Sequence, residues 1–423
     1  MTRQVDTISD LKAEQRYDSR GVPTIQITVT TKGGAIGSSM APSGASTGSY
    51  EVPEARDEGE SFGGLSVKRI AKSLPAKLLP KIKAVSVYDQ DLLDEILTEP
   101  DGTAKAWGGN VAIATSQAIA KAAAISLHTP LWQYLRDIFY KMSGTTAIEN
   151  KIKLCVNVLN GGAHASGGPS FQEFWVVTNG GSMAQQFENV AEFYFALRQN
   201  FKKNKRLTLV GDEGGLVPIK MSSEETLLYM QKMLKETGMQ SKLSLGLDLA
   251  ASEFGNKSSY MVDGKKYSSE QYLNYILKLQ KNYNLVYLED PASEFDLSTW
   301  RKLTENLKHK VILIGDDLFV SQAIRLQQGI EVGLANAVLL KPNQVGSITG
   351  LMKTAALAKK NNYKIIVSHR SGEITDNFIA DLAVALNADA VKFGAPARGE
   401  RLVKYERLLD IESEMKDELK IEN

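Results

Sequence analysis

Two patterns of apolar positions divide the chain. In residues 22–40, Thr24, Ile25, Gln26, Ile27, Thr28, Val29 and Thr30 alternate polar and apolar, as in a half-buried strand. Gly33-Gly34 marks a turn, and a second short strand follows. Residues 65–98 and 110–138 carry apolar side chains at three- and four-residue spacing, which predicts helices. Strands followed by helices predict a small α+β unit. The small polar stretch Met142, Ser143, Gly144, Thr145, Thr146 places its boundary. The expected division is an N-terminal α+β domain over 1–143 and a second domain over 144–423.

From Lys153 onward, short apolar runs recur, each reaching a polar residue and most preceding an amphipathic helical stretch. They are LTLVGDE to Glu213, LSLGLD to Asp248, LVYLED to Glu289, VILIGDD to Asp316, AVLLK to Lys341, KIIVSHR to His369, and AVKF with Lys392. These residues are 35, 41, 27, 25, 28 and 23 positions apart, close to the roughly 30 residues of a strand–helix unit. Continuous apolar runs mark strands buried on both faces, as in a parallel sheet. With an earlier strand near 152–158, they predict an α/β fold: a C-terminal (β/α)8-type barrel behind the smaller α+β domain. A doubly wound open sheet is the competing architecture, but neither GxGxxG nor GxxxxGK[ST] is present.

Composition narrows the partners. Fifty Lys and Arg against 49 Asp and Glu nearly cancel, leaving no electrostatic reason to expect nucleic acid or an anionic membrane. The single cysteine, Cys155, rules out an intramolecular disulfide and fits a reducing compartment. The first twenty residues are too charged for a signal-peptide core. No apolar run approaches the roughly 20 residues that span a bilayer. A cytoplasmic chain without a membrane span is expected.

In such a barrel the C-terminal strand ends meet at one mouth, so these acids and lysines surround one cavity. Asp248, Glu289 and Asp316 can hold a hard divalent cation through oxygen ligands, Mg²⁺ rather than Zn²⁺, because no Cys or His pair sits at zinc spacing. The alternative is a salt-bridge cluster with Lys341 and Lys392. Each lysine can act as a neutral base or as a charged clamp for a carboxylate or phosphate, and spacing leaves the two roles interchangeable. His369-Arg370-Ser371 suits an oxyanion. Pro42–Gly48, with SGAST at its centre, reads as a surface loop or a lid. His164 lies in a second glycine-rich loop, ahead of Gln172 and Glu173 on the strand-like run FQEFWVV.

The motifs SGASTG, NVLNGGAHASGGPSFQEF, VGDEGG, GLDLAASEF, LEDP, GDDLFV, LLKPNQVGSIT, SHRSGE and GAPARGERLVKY resemble the enolase family pattern, in order, from about Tyr17 to Glu412. The resemblance implies reversible Mg-dependent dehydration of 2-phosphoglycerate to phosphoenolpyruvate, by a cytoplasmic homo-oligomer with a secondary presence at the cell surface. It implies Lys341 as the base at C2 and Glu213, with Glu173 beside it, as the acid for the 3-hydroxyl. Asp248, Glu289 and Asp316 match the ligands of a first Mg²⁺, and Ser46 matches a ligand of a second that arrives with substrate. Arg370 and Ser371 match phosphate contacts, and Lys392 matches a carboxylate contact. His164 matches a lid histidine near the phosphate; His369 and Gln172 belong to the substrate pocket. The proton beside an ionised carboxylate is weakly acidic, so the base has to be neutral and the developing charge stabilised. On this reading Mg²⁺ and Lys392 push Lys341 toward its neutral form, while Glu173 raises Glu213.

Some positions depart from the family. Pro53, AWGGN, and Ile374 with Thr375 lie outside the matched site residues. Gln26 and Asp410 stand where the family usually has Glu and Arg paired across a dimer interface. Two other readings compete: an enzyme acting on an unphosphorylated acid, and a non-catalytic protein that kept the fold. The first needs the phosphate contacts to be missing, the second the acid, base or metal ligands; all are present.

Overall fold

A computed structural model describes residues 6–44, 48–99, 104–144 and 151–421, with side chains up to 417. The N-terminal unit is an antiparallel sheet of β1 (Ile8–Tyr17), β2 (Pro23–Thr31) and β3 (Ile36–Met40), with β2 in the middle. The alternation predicted for β2 is there, with Ile25, Ile27 and Val29 buried against the helices. The sequence reading passed over β1, whose outward positions are charged and whose pairing carries an irregularity between Ile8 and Asp10. The two predicted helical stretches are four helices: α1 (Lys68–Ile82), α2 (Gln90–Leu97), α3 (Gly109–Ser126) and α4 (Leu131–Ser143). Ser86, bridged to Thr7, interrupts the first stretch. Pro130 interrupts the second, because the residue before a proline avoids helical backbone.

The second unit holds β4 (Lys153–Asn160), β5 (Glu173–Thr178), β6 (Leu243–Asp248), the hairpin β7 (Ser259–Val262) with β8 (Lys265–Ser268), then β9 (Tyr287–Glu289), β10 (Ile312–Gly315), β11 (Ala337–Leu340), β12 (Lys364–Ser368) and β13 (Ala390–Lys392). Eight of these close a barrel in the circular order β4, β5, β6, β9, β10, β11, β12, β13. Six junctions are parallel, but β4–β5 and β5–β6 are antiparallel. The run LTLVGDE is not a barrel strand. Leu207, Leu209 and Val210 are 63%, 52% and 48% exposed, and this segment makes only isolated bridges. The second barrel strand is FQEFWVV, running backwards. Two helices, α5 (Met183–Lys203) and α6 (Ser223–Glu236), separate it from β6. Reversing β5 brings its first residue, Glu173, to the mouth where the other strands end.

Alternate side chains on a strand face the same way, and this rule builds the barrel interior. Cys155, Trp175, Tyr287, Ile314, Leu339, Ile366 and Ala390 form an apolar plug. Two residues from each, toward the mouth, stand Asn157, Glu173, Glu289, Asp316, Lys341, Ser368 and Lys392. The inward period carries straight from plug to chemistry. Contacts from α3 seat the small domain on the barrel: Lys121 Nζ lies 2.6 Å from Asp376 Oδ2, and Ile348 N donates to Ser116 Oγ at 3.1 Å.

Candidate active site

One polar cavity opens at the mouth. His164, Gln172, Glu173, Glu213 and Asp248 line one part of it; Asp316, Lys341, His369, Arg370, Ser371 and Lys392 line the rest. Glu289 lies directly beneath, fully buried. Ser46 falls outside the described residues. The flanks of its loop do reach the mouth: Ser43 and Gly372 exchange backbone hydrogen bonds of 2.8 Å in both directions.

Lys392 is the centre of the charge network. Its Nζ lies 2.9 Å from Asp248 Oδ2, 2.9 Å from each oxygen of Glu289 and 3.0 Å from Glu173 Oε1. Burial presses its amine toward neutrality, but Asp248, Glu173 and Glu289 outweigh burial and hold it well above its ordinary value. Lys392 is therefore a fixed cation. Lys341 is bonded to Asp316 Oδ2. Burial lowers Lys341, with help from Arg370 and Lys392, yet Asp316 prevails and the amine is held above its ordinary value.

Glu213 sits in a turn that no barrel strand carries. Leu216 pairs with β4 on both sides (Leu216 N to Val158 O, 2.9 Å; Asn160 N to Leu216 O, 2.8 Å) and sets that turn over the mouth. The approach is tight, since a Cβ at Gly215 would lie 2.5 Å from Asn160 Oδ1. Asn157 Nδ2 donates to Glu213 Oε2 at 2.9 Å. His164 Nδ1 lies 3.6 Å from Glu213 and 3.8 Å from Glu173, and His369 Nε2 lies 3.3 Å from Glu213. Burial would raise Glu213, but the two imidazoles hold it well below its ordinary value. Burial and the neighbouring Glu213 push Glu173 well above its own. The two carboxyls are thus pushed apart, Glu173 upward and Glu213 downward. Burial lowers both histidines against the pull of Glu213, His369 to about 3.

Sequence reasoning missed several neighbours. Glu51, from the small domain, takes both terminal nitrogens of Arg370 at 2.9 Å, while Asn343 accepts from the same guanidinium at 3.1 Å. Gln344 joins Glu51 to Asp316, at 3.1 Å each. The second acids of LEDP and GDD, Asp290 and Asp317, also line the cavity. Burial, then the facing acids, raises both, Asp317 to about 8. Doubled acids at two strand ends were the available signal.

The acidic clusters can hold a metal ion. Among the described residues, ligand atoms of Asp290, Asp316 and Asp317 gather within 4.8 Å of one another, as do those of His164, Glu173 and Glu213. The first set is all carboxylate, the donor chemistry of a hard cation, and buried Gln172 Oε1 nearby has no hydrogen-bond partner. Of the expected ligands, Asp316 belongs to the first set. Asp248 and Glu289 stand beside it around Lys392, which is the salt-bridge arrangement weighed from the sequence. No helix among the described residues is long and apolar enough to cross a membrane.

Comparison with known proteins agrees with this geometry. Residues 8–135 match the family model of the enolase N-terminal domain, and residues 153–422 match that of the enolase C-terminal TIM barrel domain. The enolase of Campylobacter jejuni strain RM1221 is 41% identical over 410 residues, covering 96% of this chain and 97% of its own length. The enolases of Wolinella succinogenes and of a Nitratiruptor species are each 40% identical, over 416 and 415 residues, with the same coverage. Both domain models, the near full-length relatives and the barrel mouth lead to one conclusion: this chain belongs to the enolase family.

Proposed function

We propose that this chain is a glycolytic enolase, a hydro-lyase that reversibly dehydrates 2-phosphoglycerate to phosphoenolpyruvate, with Lys341 taking the C2 proton and the Glu173–Glu213 pair serving the 3-hydroxyl. One observation carries the assignment. β11, which leads into Lys341, and β5, which starts at Glu173, are four steps apart in a ring of eight. Base and acid therefore face each other across the mouth, as removal of a proton and a hydroxyl from opposite faces of one substrate requires. Lys392, on β13, lies midway around the ring and is a permanent cation suited to the substrate carboxylate. Arg370, Ser371 and His164 suit the phosphate, with Arg370 giving up Glu51 to take it, while His369 and Gln172 complete the pocket.

Lys341 acts once its proton has left, and the cationic Arg370 and Lys392 favour that loss. Glu173 and Glu213 work as a unit, with the proton stored on Glu173 and Glu213 turned toward the histidines. Asp248, Glu289 and Asp316, with Ser46 for a second ion, are the residues that would hold two Mg²⁺. When bound, these supply positive charge for the second negative charge that develops on the substrate carboxylate.

A cytoplasmic homo-oligomer, a dimer or higher, completes the proposal, along with a secondary presence at the cell surface. Gln26 is satisfied within its own sheet by Arg16 and Ser38, so the proposed oligomer would not draw on the usual ion pair at that position. The direct test is the absorbance of phosphoenolpyruvate formed from 2-phosphoglycerate with and without Mg²⁺. Metal-dependent formation is expected; a metal-replete protein that forms none contradicts the reading.

A further inference from the structure

Arg401 lies in the C-terminal helix Gly399–Ile421 and does not line the cavity. Its side chain is wholly buried. Nη1 donates to Arg370 O at 2.6 Å and lies 2.6 Å from His369 Nδ1. Nη2 donates to Ser371 O at 2.7 Å and to Asp212 O at 3.1 Å. Nε lies 3.8 Å from Glu400 Oε1. One guanidinium thus ties the loop after β12 to the turn carrying Glu213. These groups pack around Gly394, at φ +84°. A Cβ there would lie 2.8 Å from His369 Cε1, and 3.0 Å from both Arg401 Cδ and Glu213 O. The backbone has to be bare for the three to meet.

A guanidinium has donors only and stays protonated. The imidazole nitrogen facing it has to be an acceptor, since two N–H groups at that separation repel each other. His369 Nδ1 then carries the lone pair, and the proton sits on Nε2. That nitrogen is buried, makes no aligned hydrogen bond, and stands 3.3 Å from Glu213 Oε1. The opposite tautomer would turn a lone pair onto the carboxylate.

We infer that Arg401 is a positioning residue, which holds His369 in the tautomer that presents Nε2–H to Glu213 and to the oxygen leaving or entering at C3. His369 so held is a donor, not a base. It supports Glu213 as a carboxylate, the form that can take a proton from water in the hydration direction. The inference rests on the proposed reaction for its purpose but not for its first test.

That test is the nitrogen NMR spectrum of histidine-labelled wild-type protein with Mg²⁺ and no substrate, with His369 assigned by its absence in His369→Gln. A neutral ring protonated at Nε2 is expected at pH 7. A ring protonated at Nδ1, or an imidazolium, overturns the inference. The tautomer is read without turnover, so a chain that fails to dehydrate 2-phosphoglycerate leaves this result standing. The second test is a double-mutant cycle. Arg401→Lys keeps the charge but cannot span four acceptors, and kcat should fall about 100-fold. In the His369→Gln background the same change should cost less than about threefold. An equal factor in both backgrounds contradicts action through His369.

Discussion

The barrel interior has two layers made from the same strands, and they are kept in different ways. In the plug, Ile314, Leu339, Ile366 and their neighbours are fully buried and neutral, held by close packing and by apolar area removed from water. One inward step toward the mouth, Asp316, Lys341, Glu289 and Lys392 are also largely out of water, but they are held by ion pairs and hydrogen bonds, with one another and with Asp248, Glu173 and Gln344. Acids outnumber cations there, so burial and facing carboxylates push Glu289, Asp290 and Asp317 upward. The comparison separates stability from function. The plug makes the barrel stand and says nothing of chemistry. The mouth is electrostatically strained without a cation or substrate, and the plug beneath lets it stay so.

The sharpest way to break this comparison uses two residues of one chain segment. Leu339→Lys puts an unpaired ammonium in the plug and should cost about 4 kcal/mol of stability or more, read by chemical denaturation. Lys341→Met, two residues on, takes the ion partner from Asp316 where the cavity opens; it should cost clearly less stability than Leu339→Lys while lowering turnover by about 10⁴-fold. Similar stability losses for the two would mean that the layers are not distinct.

A smaller effect follows from metal removal. Chelation should abolish turnover and also lower stability by roughly 2–3 kcal/mol when the cation was present at about a hundred times its Kd. Full activity after chelation would remove the cation from the account.

The smallest effect is a slope in pH. His369 titrates ordinarily near 6.5 and near 3 in this fold, because burial opposes its charge. Protonation therefore favours the unfolded chain. The stability this ring contributes is present above pH 6.5 and lost as pH falls toward 3, by up to about 1.4 kcal/mol per pH unit. His369→Gln should flatten that part of the curve relative to wild type, and parallel curves would show that the ring is not held neutral.

Much of this was legible in the sequence, for a physical reason. Six of the seven apolar runs end at one mouth because strands buried on both faces stay largely apolar until their mouth ends, where the barrel opens. LTLVGDE misled because composition does not report burial: its leucines lie on the surface, and only the reversal of β5 brings Glu173 to the mouth. The α/β barrel and most of the cavity could be read, but not proton positions. Those depend on distances between residues far apart in the chain, such as Lys341 to Asp316 and Glu213 to two histidines. Glu51 and Arg401 were missed likewise, because a lone acid or arginine carries no spacing signal until the fold gives it a partner, whereas Asp290 and Asp317 were marked by the doubled acids at their strand ends.

The central claim is that proton removal and hydroxyl departure belong to opposite walls of the mouth. Exchange of the C2 proton of 2-phosphoglycerate with solvent deuterium, followed by proton NMR in Glu213→Gln and Lys341→Met with Mg²⁺ present, measures the two separately. Exchange should persist in Glu213→Gln while dehydration falls by about 10³-fold, and exchange should vanish in Lys341→Met. Exchange at the wild-type rate in Lys341→Met, or its equal loss in both variants, would contradict the account.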